Sequence, residues 1–269
     1  MIDIIARNNV HVIGSGTQAL VFAHGFGCDQ NMWRYILPAF EKDYKIVLFD
    51  FVGCGKSDLK AYHIERYSNL NGYAEDIFEV CQALNLQDVI LVGHSVSAIS
   101  GMLAAMHHPE MFSHLIMVCP SPCYTNHPED NYIGGFEKHE LVELLDLMEK
   151  NYIGWANFLA PVIMQNAERG ELAEELLESF CATDPLIARR FAEVTFLSDN
   201  RSQLPHLATP TLIIQCTDDV IAPITVGTYM HQQIPSSHLA LINVTGHCPH
   251  MSHPEDTIAQ MKDFLAQGK

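Results

Sequence analysis

One serine near the middle of the chain constrains the fold more than any other residue. The apolar run 89–92 leads into residues 93–97 (Gly-His-Ser-Val-Ser), and a segment with helical spacing follows directly at 98–105. A buried strand, an abrupt turn and a helix would hold the hydroxyl of Ser95 above the strand end, in front of a helix N-terminus. A short Gly/Ser string also recurs by chance, so the flanking segments and the downstream partners carry the prediction that Ser95 is a nucleophile.

Other apolar runs of strand length recur along the chain, separated by helical patterns such as residues 73–84. Because these runs are almost continuously apolar, they are typical of strands buried on both faces. The sequence therefore predicts the α/β class, with a mostly parallel sheet covered by helices on both faces. The further predicted strands are residues 18–23, 45–50, 114–119, 210–216 and 238–244.

Residues 124–199 interrupt this alternation, because they contain helical patterns and no convincing strand. The predicted helices cover 136–152, 153–165 and 171–181, and a fourth opens at Asp184 and Pro185, a cap residue followed by a proline. A simple crossover between parallel strands needs only about 12 residues. We therefore predict an α/β core of residues 1–123 and 200–269 and interpret 124–199 as a helical lid over the sheet edge that carries Ser95.

Two later strand ends supply the partners that a serine nucleophile requires. The hydroxyl needs a base to take its proton, and the base needs an acid to orient it. The run 210–217 ends at Asp218 and Asp219, and the run 238–246 ends at His247. The carboxyl ends of parallel strands meet at one edge, so Ser95, an acid and His247 can converge in the order Ser, Asp, His. A proline four residues after Asp219 favours Asp219 as the acid, with Asp218 as a solvated or turn-capping carboxylate.

The oxyanion formed during attack on an ester needs two backbone N–H donors. Val96 follows the nucleophile and supplies one, and Phe26, within the Gly-rich residues 24–27, is predicted to supply the other. We interpret His24 as a structural histidine that braces this loop. With Phe26, the predicted lining of a small, dry, apolar pocket is Tyr124, Phe136, Trp155, Phe158 and Phe196. Such a pocket suits a compact hydrophobic ester or lactone.

Two other patterns suggest different chemistry and are set aside. The three histidines within residues 247–253 invite a metal site, but Pro249 and the strand-to-helix context disfavour a compact cluster. Residues 50–57 contain glycines and a serine but lack the Gly-Lys-Ser/Thr ending of a phosphate loop. We expect a tight turn there, and the sequence predicts neither a metal nor an organic cofactor.

The net charge of the chain argues against some classes of binding partner. A formal net charge of -17 repels nucleic acid and anionic membrane surfaces. No secretory signal or apolar run long enough to cross a bilayer is visible. The eight cysteines are scattered and several lie in apolar runs, which indicates reduced thiols in the core. A cytoplasmic protein is expected.

Taken together, these segments resemble the RsbQ-like α/β-hydrolases, regulators of the bacterial energy-stress response, and more distantly the plant karrikin and strigolactone receptors. The resemblance implies Ser95, Asp219 and His247 as a catalytic triad, Phe26 and Val96 as oxyanion donors, and a four-helix lid over a hydrophobic pocket. It also implies a partner, a PAS-domain serine phosphatase upstream of the general-stress factor sigma-B. The stretches that carry it are residues 24–30, 49–53, 93–96, 120–124, 134–137, 151–155, 187–189 and 246–252.

One residue departs from the usual pattern of the fold. Ser97 occupies a position that is commonly glycine, where a side chain leaves less room between strand and helix. The plant receptors are similar in having Val-Ser after the nucleophile, so the change is compatible with a working triad but argues against fast, generic esterase turnover. The alternative to a regulator is a metabolic carboxylesterase or enol-lactone hydrolase with no signalling partner.

Overall fold

The computed structural model describes residues 3–267, and a seven-stranded sheet lies at their centre. The strand order is β1-β3-β2-β4-β5-β6-β7, and within the described chain only β1 runs antiparallel to its neighbour. The carboxyl ends of β2 and β4–β7 therefore lie at one edge. The strands are β1 (His11–Ile13), β2 (Ala19–Ala23), β3 (Lys45–Leu48), β4 (Val89–His94), β5 (Phe112–Val118), β6 (Thr211–Asp218) and β7 (Ser237–Thr245).

Helices surround this sheet, which confirms the predicted α/β class. Helices α3, α8 and α10 contact the sheet, and α2 packs on α3. Four helices, α4–α7, lie in residues 124–199, which we call the helical insert. The helices are α1 (Ile4–Arg7), α2 (Leu70–Ala83), α3 (Val96–His107), α4 (Lys138–Lys150), α5 (Tyr152–Met164), α6 (Gly170–Ala182), α7 (Pro185–Phe196), α8 (Ile224–Gln233), α9 (Pro249–Ser252) and α10 (Pro254–Gln267).

All six predicted strands are present, with ends displaced by at most two residues. The sequence did not predict β1, because its three residues are all exposed and make no continuous apolar run. This edge strand is held by backbone pairing with β3 rather than by burial. Hydrophobic periodicity therefore finds the buried strands and misses the exposed one.

Side-chain caps fix where the helices of the insert begin. Glu137 and Glu140 form a capping box at the start of α4. The side chain of Asp184 accepts the N–H groups of Leu186 and Ile187, with Pro185 in the first turn of α7, as the sequence predicted. These caps satisfy N–H groups that the first turn of a helix leaves unpaired.

Side chains of the insert also anchor it to the core. The hydroxyl of Ser179 in α6 donates to the carbonyl of Gly27, 2.7 Å away. Arg34 and Glu175 form a bidentate ion pair with both N–O distances at 2.6 Å. The amide of Asn166 donates to the carbonyls of Met164 and Thr245 and so joins the end of α5 to the end of β7. The insert is therefore tied to the loops that follow β2 and β7.

Two global features concern membranes and cysteines. Within residues 3–267, the structure contains no helix with the length and apolar character needed to span a membrane. All eight cysteines are free thiols, and all except Cys181 are buried.

Candidate active site

The turn that carries Ser95 has a strained backbone. β4 ends at His94 and α3 begins at Val96, so Ser95 alone makes the turn, with φ 56° and ψ −122°. A residue other than glycine in this region costs about 1–3 kcal/mol, which the surrounding packing must offset. A Cβ atom on Gly93 would lie 2.6 Å from the carbonyl oxygen of Ser97, so only glycine fits before the turn. This turn conformation places the hydroxyl of Ser95 above the sheet edge.

A chain of short hydrogen bonds runs from Ser95 into the core. The Oγ of Ser95 lies 2.8 Å from Nε2 of His247, and Nδ1 of His247 lies 2.7 Å from Oδ2 of Asp219. The other carboxylate oxygen of Asp219 accepts the N–H groups of Ile221 and Ala222 at 2.9 and 3.1 Å. All three side chains are buried. The arrangement has the geometry of a nucleophile, a base and an orienting acid.

The two adjacent acids have different surroundings. The side chain of Asp218 is exposed, and its carboxylate accepts a hydrogen bond from Thr245 at 3.0 Å. The structure therefore brings Asp219, and not Asp218, to His247. Neighbouring residues at a strand end point in opposite directions, so only one of them can face the imidazole.

The backbone of His247 is fixed from two sides. Its N–H donates to the carbonyl of Ile163 in α5 at 2.9 Å. Its carbonyl lies 2.9 Å from Nε2 of His94, the residue before the nucleophile. The imidazole of His247 is thus positioned jointly by the core and by the helical insert.

Two N–H groups are available for an oxyanion near Ser95. Those of Phe26 and Val96 donate to no acceptor within residues 3–267. The loop before Phe26 is braced by His24, whose Nε2 accepts the N–H of Phe51 at 3.1 Å, so that Nδ1 carries the proton and donates to the carbonyl of Gly25. Burial lowers the pKa of His24, which keeps this brace neutral.

The structure also gives Ser97 a role. Its hydroxyl donates to the carbonyl of His24, at the start of the loop that carries Phe26. Ser97 therefore joins the first turn of α3 to residues 24–27, which we call the oxyanion loop. The side chain that departs from the usual glycine is used as a brace, and its polar group is satisfied.

The cavity above Ser95 has little free space. Its volume is about 20 Å³, enough for one or two water molecules. Of the predicted lining residues, the structure places Phe26, Tyr124 and Phe196 in its wall. The remaining wall includes Ile163, Leu176, Thr195 and Ile221, which no sequence motif singled out. It also includes Cys28 and Cys248, which lie in the stretches 24–30 and 246–252 but were not predicted to line the cavity.

Three aromatic residues predicted to line this cavity lie elsewhere. Trp155 is fully buried behind Phe26, with ring centroids 6.0 Å apart. Phe136 and Phe158 line a separate apolar groove on the outside of α4 and α5, and Phe158 is 56% exposed. The sequence could not show this, because α5 is apolar on most of its circumference and its inner face cannot be read from periodicity.

The groove between α4 and α5, which we call the outer groove, lies next to the cavity. It has a volume of about 360 Å³ and is lined by Phe136, Leu144, Leu147, Phe158, Val162 and Val220, among others. Phe196 and Ile221 line both spaces. These two side chains form a wall between the nucleophile and the groove, and an ester larger than a few atoms needs wall or insert side chains to move.

Two further histidines lie behind the triad. The ring of His250 packs between Trp33 and His94, with ring centroids 4.6 Å from each. Burial lowers the pKa of His94 and brings that of His250 to about 3. Both rings are therefore neutral at pH 7 and serve as packing and positioning groups. In the described part of the chain, His250 and His253 do not cluster with His247 as a set of metal ligands.

The chain is similar to known proteins over most of its length. Residues 20–260 match the family model described as "Alpha/beta hydrolase family". The chain is 36% identical to the karrikin insensitive 2 receptor CA of Petunia hybrida over 252 residues, 93% of each chain. It is 34% identical to the strigolactone esterase D14 of Arabidopsis thaliana, over 98% of this chain and 96% of that one.

A solved structure is more similar still. A hydrolase from Oleispira antarctica is 48% identical and superposes with a TM-score of 0.96, over 98% of this chain and 96% of that one. Similarity of this extent covers the sheet, the helical insert and every strand end described above. The chain belongs to the alpha/beta hydrolase family and is an α/β-fold serine hydrolase.

Proposed function

We propose that this protein cleaves a small hydrophobic ester or lactone through an acyl-enzyme on Ser95. The observation that carries the proposal is the hydrogen-bonded series Ser95, His247 and Asp219 at the floor of a narrow, mostly apolar cavity. A neutral imidazole whose Nδ1 proton is held by a carboxylate presents Nε2 as a base to the serine.

The geometry supports the following steps. Oγ of Ser95 attacks the carbonyl carbon while its proton passes to Nε2 of His247, and the N–H groups of Phe26 and Val96 receive the oxyanion. The bond to the alkoxy oxygen then breaks, and His247 returns the proton to that oxygen. A water molecule, deprotonated by His247, attacks the acyl-enzyme and releases the acid. With a lactone, the alcohol and the acid leave as one hydroxy acid.

The substrate class follows from the cavity wall. The side chains around Ser95 are mostly apolar, and among the described residues none is a lysine or an arginine. A charged substrate would lose its hydration there without a counter-charge. A relative named as a strigolactone esterase, similar over nearly the whole chain, supports ester hydrolysis.

We propose further that hydrolysis or ligand binding regulates a PAS-domain serine phosphatase in the cytoplasm, in the manner of RsbQ in the sigma-B general-stress response. The resemblance to that family extends through the helical insert, and relatives over nearly the whole chain are named as receptors. The outer groove offers an exposed apolar surface, bordered by Glu140 and Glu143, on the part of the fold that ligand entry must disturb.

Two assays on one protein preparation test this proposal. The first compares cleavage of short-chain esters and five-membered unsaturated lactones by the wild-type protein and by Ser95→Ala. The second measures the activity of a PAS-domain phosphatase from the same genome with the hydrolase present, with and without such an ester.

Three results distinguish the proposals. Cleavage that is lost in Ser95→Ala, together with a change in phosphatase activity, supports both proposals. Cleavage without any effect on the phosphatase favours the metabolic hydrolase. Cleavage that persists in Ser95→Ala refutes the role given to Ser95.

A further inference from the structure

Besides the imidazole of His247, a tyrosine hydroxyl contacts the nucleophile Ser95. Tyr124 follows β5 and is 2% exposed, and its hydroxyl oxygen lies 3.1 Å from Oγ of Ser95. The carbonyl of Tyr124 accepts the N–H of Phe136. A Cβ on Gly134 would lie 2.6 Å from that carbonyl oxygen, so a glycine is required for this approach. The ring packs edge-on against Phe196, with centroids 5.3 Å apart.

The hydrogen bonds around Ser95 determine which hydroxyl donates. The carboxylate of Asp219 can only accept, so Nδ1 of His247 carries a proton and Nε2 is an acceptor. The proton of Ser95 is therefore donated to Nε2. With that proton used, the bond between the two hydroxyls requires Tyr124 to be the donor and Ser95 the acceptor. Burial raises the pKa of Tyr124, so the phenol keeps its proton at neutral pH.

The sheet order places this donor on the leaving-group side of the site. β4 lies between β2 and β5, so the oxyanion loop after β2 and the segment of Tyr124 after β5 flank Ser95 from opposite sides. His247 follows β7, on the same side of β4 as Tyr124. With an oxyanion held by the N–H groups of Phe26 and Val96, this order puts the oxygen that His247 protonates on the side of Tyr124.

We infer that Tyr124 is a further catalytic residue, whose hydroxyl donates to Ser95 in the free enzyme and to the alkoxy oxygen as it leaves the tetrahedral intermediate. This inference rests on the proposed ester hydrolysis. When Oγ bonds to the carbonyl carbon it becomes a poorer acceptor, and the alkoxy oxygen lies on that same carbon, one bond further on. Tyr124 keeps its own proton throughout. His247 delivers the proton that the alcohol carries away, and Tyr124 stabilises the charge that builds up on the oxygen while the bond breaks.

This role predicts a dependence on the leaving group. A simple alkoxide is strongly basic and needs the hydrogen bond, whereas 4-nitrophenolate leaves readily without it. In Tyr124→Phe, kcat/KM for an ethyl ester should fall about 10- to 100-fold, the loss typical of one hydrogen bond to a charged group. For the 4-nitrophenyl ester of the same acid it should fall less than about threefold, within the range of one neutral hydrogen bond. The ratio kcat/KM is used because it reports acylation for both alcohols.

A matched variant controls for loosening of the segment. The hydroxyl of Tyr132 donates to the carbonyl of Cys123, next to Tyr124, and does not touch Ser95. In Tyr132→Phe, the two esters should be affected equally. Thermal melts of both variants establish that they are folded.

The outcomes distinguish a failure of this inference from a failure of the proposed ester hydrolysis. A larger loss for the ethyl ester in Tyr124→Phe supports it. An equal loss for both esters means that Tyr124 only positions Ser95, and no loss means that its hydroxyl has no part in the reaction; either result overturns the inference while ester hydrolysis stands. If the wild-type protein cleaves neither ester, or Ser95→Ala cleaves them equally well, the proposed function fails and the inference falls with it.

Discussion

Replacing Asp219 by asparagine changes one atom of the site and should remove most of the activity. Oδ1 of Asp219 accepts the N–H groups of Ile221 and Ala222, so an asparagine would keep its carbonyl oxygen there. Its NH₂ group would then occupy the position of Oδ2, 2.7 Å from Nδ1 of His247. Two donors cannot face each other, so the imidazole proton moves to Nε2. His247 then presents a proton, rather than a lone pair, to Ser95.

The magnitude follows from the loss of the base. The same substitution in serine proteases leaves the geometry intact and lowers kcat about 10⁴-fold, or about 5.5 kcal/mol of transition-state stabilisation. We expect a loss of that order here in steady-state hydrolysis of an aryl ester, with Ser95→Ala as the baseline. The matched control is Asp218→Asn. Among residues 3–267, the exposed carboxylate of Asp218 accepts only from Thr245, so this variant should change kcat less than about twofold.

The comparison of the two variants is decisive. Equal losses in Asp219→Asn and Asp218→Asn would refute the assignment of the acid. A loss smaller than about tenfold in Asp219→Asn would contradict the tautomer argument, because a wrong tautomer removes the base altogether. Thermal melts exclude unfolding as the cause.

The remaining predictions concern the groups that support the site. Ser97→Ala removes the brace between α3 and the oxyanion loop. We expect kcat for ester hydrolysis to fall about threefold to tenfold, and a denaturant titration should show a loss of about 1 kcal/mol in the free energy of unfolding. Asn166→Ala unties α5 from β7 next to His247, and should cost about 1–3 kcal/mol of unfolding free energy and lower kcat more than KM. The third group is His250, whose pKa is about 3 in the folded chain and 6.5 ordinarily. As the pH falls below 6.5, the unfolded chain binds a proton at His250 and the folded chain does not. Its contribution to stability is complete well above pH 6.5 and should fall by about 1 kcal/mol between pH 6.5 and 5.5. Denaturant titrations of His250→Asn should show a shallower loss over that interval than the wild type.

Much of the catalytic arrangement could be predicted from the sequence because it depends on local order. An apolar strand followed by Gly-His-Ser fixes where a nucleophile turn lies. Parallel strands bring their carboxyl ends to one edge of the sheet, whatever the length or sequence of the connecting loops. The positions of Ser95 and His247 follow from these two facts. The choice of Asp219 over its neighbour depended on a proline spacing alone, and the structure places Asp219 against the imidazole.

The cavity wall was harder to predict because it depends on how helices rotate against one another. Trp155 and Phe158 lie on the same helix, yet one is fully buried and the other is 56% exposed. Because α5 is apolar nearly all round, its sequence does not show which side faces the core. The brace from Ser97 was missed for a similar reason, since its acceptor lies on a loop 73 residues away along the chain.

The mass of the intact protein, followed over time after mixing with a small aryl ester, tests the central claim most directly. The wild-type protein should gain the mass of the acyl group and lose it again as water attacks, while Ser95→Ala should gain nothing. Ester cleavage by the wild-type protein with no adduct at any time, or an adduct that forms equally on Ser95→Ala, would contradict an acyl-enzyme on Ser95.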